Sequence, residues 1–530
     1  MKEKNTVWKF LIVVLILFLF VSVFCVIRYW GYMPYVDESA NVSAVNNLLI
    51  EGVPRVGVSN NSVMYDKPPV GHYYWTYLPE LILRVPLQIV GNYLGFDNIQ
   101  ALTNLFYVAF VLLLIHYALK KHKDKKEYIL TVALVMAGIL CSKGLMNLVH
   151  YVRYYSMAMM TFVFCLIVIP LLLMSEKKRD LIKVFIIGIV PSFFHLLYLP
   201  FYFVIALCAI WNMKERALLN KRNVGLLSVI LLSVGVLGGG YVLFVGKNNF
   251  FSMIRIDLDS IKLYIKYVIS FNIIDLILAV VSVLIITVYY HKILPEQKKL
   301  LQIVAFTLVM YAIILGKKYN IARYYYPSRI CYIVVFTIAI FILVDNWKAF
   351  NFKLKYSVCV IIIFVWGIFS KGDLSDYPGL PLVSWNEYYD MENKLQKFDY
   401  DNVIMFTDCQ MPVSIKHPEW HVYSLRNYES NVSEGTIEYN GSIYCYRTKD
   451  GFYSTNFNQV YAGKKTDIDR ILANMENKNA VMIFWRSNYG ASEEKVRRFF
   501  ENTELENNVI KAEDFGRIWN SYFENMMLAE

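Results

Sequence analysis

Two adjacent carboxylates, Asp37 and Glu38, stand in the stretch "GYMPYVDESANVSAVNNLLIEG", just after the first apolar run. A carboxylate at a helix start is favourable as an N-cap or first-turn acid. One carboxylate also suffices as general base for an acceptor hydroxyl. That role fits sugar transfer from a phosphate-linked donor, whose leaving group needs no general acid. Glycoside hydrolysis, by contrast, uses two carboxyls flanking the bond. One side chain can be both cap and base.

Lys67 follows in "YDKPPVGHYYW". The two prolines restrict the residue before them to extended conformations, so Lys67 is either a solvated residue at a rigid turn or an ammonium preset against a phosphate. Arg153 ("HYVRYYSM") and Arg323 ("NIARYYYPSR") stand at the ends of apolar runs. Arginine there can simply reach for the interface among tyrosines. It can also bind phosphate in bidentate fashion and neutralise a leaving group, with Lys317 and Lys318 nearby in sequence. His195, in "PSFFHLLYLP", is either a hydrogen-bonded packing residue or a ligand for a divalent metal or phosphate beside Glu38. Asp257 and Asp259 form a D-x-D, the metal-holding spacing of soluble nucleotide-sugar enzymes; here an amphipathic surface helix running through Lys266 is the simpler reading.

The elements that must position these residues are membrane helices. Hydrophobic residues make up 57% of the 530-residue chain and charged residues only 18%, against about a quarter charged in an average soluble protein. The apolar residues gather in runs that match the about twenty helical residues needed to cross a ~30 Å hydrocarbon layer. The first, Trp8–Val26, is longer than a signal-peptide core and lacks an A-x-A-like exit, so it reads as a retained helix. A net charge of +11 would suggest nucleic acid in a soluble protein. Here the basic residues sit in short loops, 120–126, 177–179, 214–222, 292–299 and 348–355, the positive-inside pattern. No nucleic-acid partner is expected.

The runs 8–29, 101–119, 128–145, 156–174, 181–198, 199–212, 224–245, 271–290, 300–315, 329–345 and 356–370 then give about eleven crossings. The N-terminus is cytoplasmic and the C-terminus outside. Segment 73–95 carries Glu80, Arg84 and Gln88 at i+4 steps and reads as an interfacial amphipathic helix of the first external loop, not a crossing. Segment 181–212 is broken by Pro191 and Pro200 and reads as a tilted or re-entrant hairpin. The polar tail alternates strand-like strings ("NVIMF", "HVYSL", "SIYCYR", "AVMIFW") with helical stretches at 466–477 and 491–506, so an external α/β domain is expected. The domains are therefore a transmembrane body, 1–370, and a soluble extracytoplasmic domain, 371–530. N-x-S/T sequons begin at Asn41, Asn60, Asn431 and Asn440; a modified Asn41 would crowd the acidic pair. Six of the eight cysteines lie in or beside apolar runs, where Cys acts as a small hydrophobe. Cys409 and Cys445 lie in the tail and can pair in an oxidising compartment.

The acidic pair after the first membrane helix, then "YDKPPVGHYYW", "VRYYS" and "ARYYYP", resembles the glycosyltransferase-C superfamily. Within it the likeness is to bacterial aminoarabinose transferases of lipid A, protein O-mannosyltransferases and rhizobial galacturonosyl transferases. The resemblance covers roughly 8–345 and is strongest in the first external loop. It implies Asp37 as base, Glu38 as its partner, Lys67 as donor-phosphate contact, Arg153 and Arg323 as further donor or structural contacts, and a divalent metal on His195 with Glu38. "DESANVSA" departs from the arginine and tyrosine that family members often carry after the acids. The oligosaccharyltransferase W-W-D-like motif is absent from the tail.

The function expected is therefore transfer of one sugar, with inversion, from a polyprenyl-phosphate donor to a lipid, glycan or protein acceptor outside the cytosol. The chain would be multi-pass in the plasma membrane. The rivals are a transporter or flippase of lipid-linked sugars, which needs polar or broken mid-membrane helices, and a non-catalytic envelope assembly protein. The middles of the runs are apolar, with Asp275 near one end a partial exception.

Overall fold

The computed structural model describes residues 2–31, 36–54, 74–94, 99–215, 228, 232, 235, 258–269, 273–315, 322–346 and 352–369, with the backbone of seven strands further on. The chain divides into two compact units, Met1–Arg28 with Ala101–Pro378, and Tyr29–Gln100 with Gly379–Glu530.

The first unit is built from α1 (Lys2–Tyr29), α4 (Ala101–Lys120), α5 (Lys126–Cys141), α6 (Lys143–Asn147), α7 (Tyr155–Met174), α8 (Lys178–Phe194), α9 (Leu199–Glu215), α10 (Leu258–Ile269), α11 (Ile273–Val288), α12 (Pro295–Leu315), α13 (Tyr326–Asp345) and α14 (Phe352–Phe369). Among the described residues six helices are long and apolar enough to cross a membrane: α1, α4, α7, α9 with the 3-10 turn before it, α12 and α13. This is a helical membrane protein. The expected runs 128–145, 181–198, 271–290 and 356–370 fall on α5, α8, α11 and α14, helices of 16, 17, 16 and 18 residues; the run 224–245 falls almost wholly outside the described residues. Helices α10 and α11 are bent by 92° at the break between them.

The hairpin 181–212 breaks between its two prolines rather than at them, and its second arm begins at Leu199 as expected. Helix α8 continues through Pro191 to Phe194, and the chain leaves helical geometry at His195, which is extended (φ −154°, ψ 128°). Pro191 does not end the helix. Pro200 falls at the second residue of α9, in the first turn, where the N–H that proline lacks has no helical partner anyway.

Contacts between distant helices gather the basic loops at one end. Lys125 pairs with Glu296, Lys299 with Glu215 at 2.7 Å, and Asn212 of α9 donates to the Leu173 carbonyl near the end of α7 at 2.8 Å. The bundle is closely packed where α5 meets α13: a Cβ placed on Gly138 would lie 2.6 Å from Cγ2 of Ile333. Small residues at such crossings let backbones approach.

In the second unit, α2 (Val36–Glu51) packs on α3 (Leu78–Leu94) through Ala40, Ala44, Val45 and Leu81, flanked by Leu48, Tyr74, Tyr77 and Val85. The polar stripe of α3 is turned inward. Glu80 and Arg84 are fully buried, whereas Ile82, Leu83, Ile89, Val90 and Leu94 are exposed. The stripe pairs internally and leaves outward the side that hydrocarbon tolerates, the reverse of a helix offering its charges to water. Asn41 is fully buried and its Nδ2 donates to Glu80 at 3.0 Å, so this sequon is not an accessible acceptor. Those beginning at Asn60, Asn431 and Asn440 lie outside the described residues.

In the tail, β1 (Val403–Thr407) runs parallel to β2 (His421–Ser424) and to β6 (Ala480–Phe484), and β7 (Met526–Ala529) closes that sheet antiparallel to β6. A second sheet orders β3 (Ser433–Tyr439), β4 (Ser442–Lys449) and β5 (Phe452–Tyr453). All four strand-like strings fall on strands. The stretches 466–477 and 491–506 lie outside the described residues, as does Cys409.

Candidate functional site

The bundle end opposite the basic loops holds a basic and aromatic cluster in the first unit. Its first part comes from the turn before α7. Asn104 of α4 donates from Nδ2 to the carbonyls of Val149 and Tyr151, at 2.8 and 2.5 Å, and so fastens the segment that carries Arg153. The Arg153 guanidinium carbon lies 4.8 Å from the ring centre of Tyr154 and 5.5 Å from that of Tyr155, in cation–π range. The Tyr154 hydroxyl donates to that of Tyr155 at 3.2 Å.

His195, at the break between α8 and α9, supplies the second part. Its ring centre is 4.4 Å from Tyr154 and 5.4 Å from Tyr155. Its Nδ1 accepts from the Leu197 backbone N–H at 2.9 Å, and the Leu197 carbonyl in turn accepts from the Tyr311 hydroxyl of α12 at 2.7 Å. With Nδ1 occupied as an acceptor, the neutral ring carries its proton on Nε2 and presents a donor there. Tyr324, 6.5 Å from His195 between ring centres, brings in the 3-10 turn Ala322–Tyr325, whose backbone also carries Arg323.

Arg153 and His195 are more than nine-tenths buried. Ser156 in the first turn of α7 and Ser192 in the last turn of α8 are also buried, and their hydroxyls have no hydrogen-bond partner among the described residues. Guanidinium, imidazole N–H and hydroxyls are all donors, the set that suits a phosphate oxygen. His150, stacked near Tyr151 at 4.8 Å, is held neutral: burial first, and the Arg28 charge second, lower its pKa from 6.5 to about 3.

Of the residues singled out from sequence, the structure brings Arg153 and His195 together and places the backbone of Arg323 in the adjoining turn. Asp37 lies in the first turn of α2, where an acid at a helix start belongs; its side chain, like that of Arg323, is outside the described residues. Glu38, in the second unit, is buried. Lys67, Lys317, Lys318 and Asp257 lie outside the described residues, and Asp259 is an exposed residue of the first turn of α10. Because His195 Nδ1 accepts from the Leu197 N–H, ligation of a metal through Nε2 would need the ring proton moved to Nδ1 and that bond given up. Among the described residues no group of three or more His, Cys, Asp or Glu could hold a metal ion.

Two buried charge clusters were not read from sequence as sites. In the second unit Glu80 takes both Asn41 and Arg84, and Arg84 also donates to the Gln100 carbonyl at 2.9 Å. Their i,i+4 spacing was the visible signal, read as a surface stripe. In the first unit Arg329 and Asp275 are both 1% exposed and 4.0 Å apart. Arg329 also donates to the Val268 carbonyl at 2.9 Å, and Asp275 accepts from the Trp366 indole at 2.7 Å. An arginine inside the apolar string "YPSRICYIVV" was the available signal there.

Compared with protein-family models and with curated proteins, the chain matches none.

Proposed function

We propose that the protein is a membrane glycosyltransferase that moves one sugar from a polyprenyl-phosphate donor to an acceptor outside the cytosol. The observation that supports this best is the donor-rich cluster of Arg153, His195, Tyr154 and Tyr155 at the bundle end opposite the basic loops. Under the positive-inside rule that end is non-cytoplasmic. Nucleotide sugars are scarce there, so a sugar donor must travel on lipid, and its phosphate needs donors at the membrane edge. In this reading Arg153, with Arg323 and Lys67, contacts the phosphate, and His195 donates from Nε2. Asp37, with Glu38 beside it, takes the acceptor proton, and the attack inverts the anomeric centre. The finer architecture belongs to the same proposal: about eleven crossings, a transmembrane domain over 1–370, an extracytoplasmic α/β domain over 371–530, and residence in the plasma membrane.

The test is incubation of the purified full-length protein with a panel of labelled polyprenyl-phosphate sugars. Donor consumption that Asp37→Asn abolishes while binding persists supports the reading. No consumption across the panel, or a near wild-type rate for Asp37→Asn, sinks it. One observation favours a second reading, a transporter of lipid-linked sugars: Asp275 and Arg329 are ionisable groups inside the membrane body, where such groups can mark a path. Movement of labelled donor across proteoliposomes without consumption would favour that reading instead.

A further inference from the structure

Arg329 enters α13 one turn after the 3-10 turn that carries Arg323 and Tyr324, yet it points into the bundle. Its guanidinium reaches the last turn of α10 at the Val268 carbonyl and the first turn of α11 at Asp275. Those two helices meet at a sharp bend, so one side chain holds both arms of the elbow. Asp275 is fixed from its other side by Trp366 of α14, and the Tyr332 hydroxyl donates to its backbone carbonyl at 3.3 Å. The Tyr332 and Trp366 rings flank the guanidinium at 5.1 and 5.4 Å.

The arm held by Arg329 in turn holds the 3-10 turn. On α10, Tyr267 stacks on Tyr325 with ring centres 4.7 Å apart and planes 18° apart. Tyr264 donates to Ser328 at 2.8 Å and packs beside Tyr325 at 5.9 Å. Tyr325 is the neighbour of Tyr324, the residue that faces His195. A chain of contacts therefore runs from the buried pair through α10 to the edge of the basic and aromatic cluster.

We infer that Arg329 is a positioning residue: paired with Asp275 and bonded to Val268, it sets the α10–α11 elbow, and through Tyr267 and Tyr264 it sets the turn 322–325 against His195 and Arg153. The pair is thus part of the construction of the cluster. The link to phosphate rests on the proposed function; the link to the turn does not.

The experiment uses the full-length protein in detergent and three variants, Arg329→Met, Asp275→Asn and the double variant. Either single change leaves a buried charge uncompensated and lowers the thermal midpoint, whereas the double change removes both charges and returns most of it. Amide exchange within 258–269 and 322–328 is then measured in the double variant. The expected result is exchange there at least about tenfold faster than in the wild type, with α7 and α12 unchanged, because the Val268 bond is gone although global stability is back. Affinity for inorganic phosphate, the probe for the cluster, should fall several-fold in the same variant. Arg329→Lys, which can keep the charge and one bond, should restore part of the protection. Wild-type exchange at 258–269 and 322–328 in the stability-restored double variant would overturn the inference. If the wild type binds no phosphate, the donor-phosphate reading of the cluster fails, and the exchange comparison still decides the positioning role.

Discussion

Arg153 and Arg329 are both buried arginines stacked on aromatic rings, but their surroundings differ. At Arg329 the counter-charge is built into the protein as Asp275, and a carbonyl and an indole complete the set. Arg153 lies over two tyrosine rings, which His195 also meets from the break between α8 and α9. A charge neutralised from within is scaffold. On the proposed function, the charge of Arg153 serves the donor phosphate.

The largest effect expected follows from that contrast. Arg329→Met should cost about 3–5 kcal/mol of stability, because Asp275 is left charged and buried. On the proposed function, Arg153→Met should instead abolish donor binding, which Arg329→Met should only weaken. Denaturation in detergent and binding of a labelled polyprenyl phosphate, measured on both variants, check this. Equal losses of donor binding would erase the distinction.

A second pair sharpens it. Glu80 and Arg84 form a buried ion pair in the other unit, closed by Asn41 and Gln100. Arg84→Met should therefore behave like Arg329→Met, at about 3 kcal/mol, with Glu80→Gln added to it recovering much of the loss. Amide exchange over α2 and α3 is the readout.

These two pairs also mark where sequence reading succeeded and where it stopped. The helices were legible because apolar stretches of helical length have few alternatives: ten of the eleven expected runs fall on helices, and among the described residues six helices are long and apolar enough to cross a membrane. The strand-like strings of the tail were legible for a similar reason: they are short and rich in β-branched and aromatic residues. The facing of α3 was not legible. Glu80, Arg84 and Gln88 at i+4 spacing fix a stripe but not what the stripe faces, and only the partner helix bearing Asn41 decides that. Asp275 and Arg329 are separated by more than fifty positions and by α12, so no local pattern could pair them. Arg153 and His195 were found as single residues, and nothing in the spacing placed them around the same two tyrosine rings.

A packing change should be smaller. Gly138→Ala places a Cβ against Cγ2 of Ile333, and the strain should cost about 1–3 kcal/mol. Adding Ile333→Ala removes the opposing methyl, so the double variant should be less unstable than the sum of the singles.

His150 gives a dependence on pH. Its pKa in the folded protein is held at about 3, against 6.5 ordinarily. Below 6.5 the unfolded chain takes a proton that the folded protein refuses. Stability is therefore full above that value and falls as the pH drops toward 3, by up to about 1.4 kcal/mol per pH unit. His150→Gln should flatten that part of the curve, and an unchanged slope would remove His150 as its source.

The smallest stability effect, and the finest test of the contrast, is at Ser156 and Ser192. Neither hydroxyl has a hydrogen-bond partner among the described residues, so replacing either with alanine removes a buried polar group without breaking a described bond. Such a change should move stability by less than about 0.5 kcal/mol, or raise it slightly. If those hydroxyls serve an anion, phosphate affinity should nonetheless fall several-fold in each variant. Thr337 is the matched control, a buried hydroxyl that donates to the Ile333 carbonyl at 2.7 Å; Thr337→Val should leave phosphate affinity unchanged. Affinity lost at both serines and kept at the threonine separates a ligand site from general loosening of the bundle, because all three changes remove one buried hydroxyl and differ only in what that hydroxyl was for.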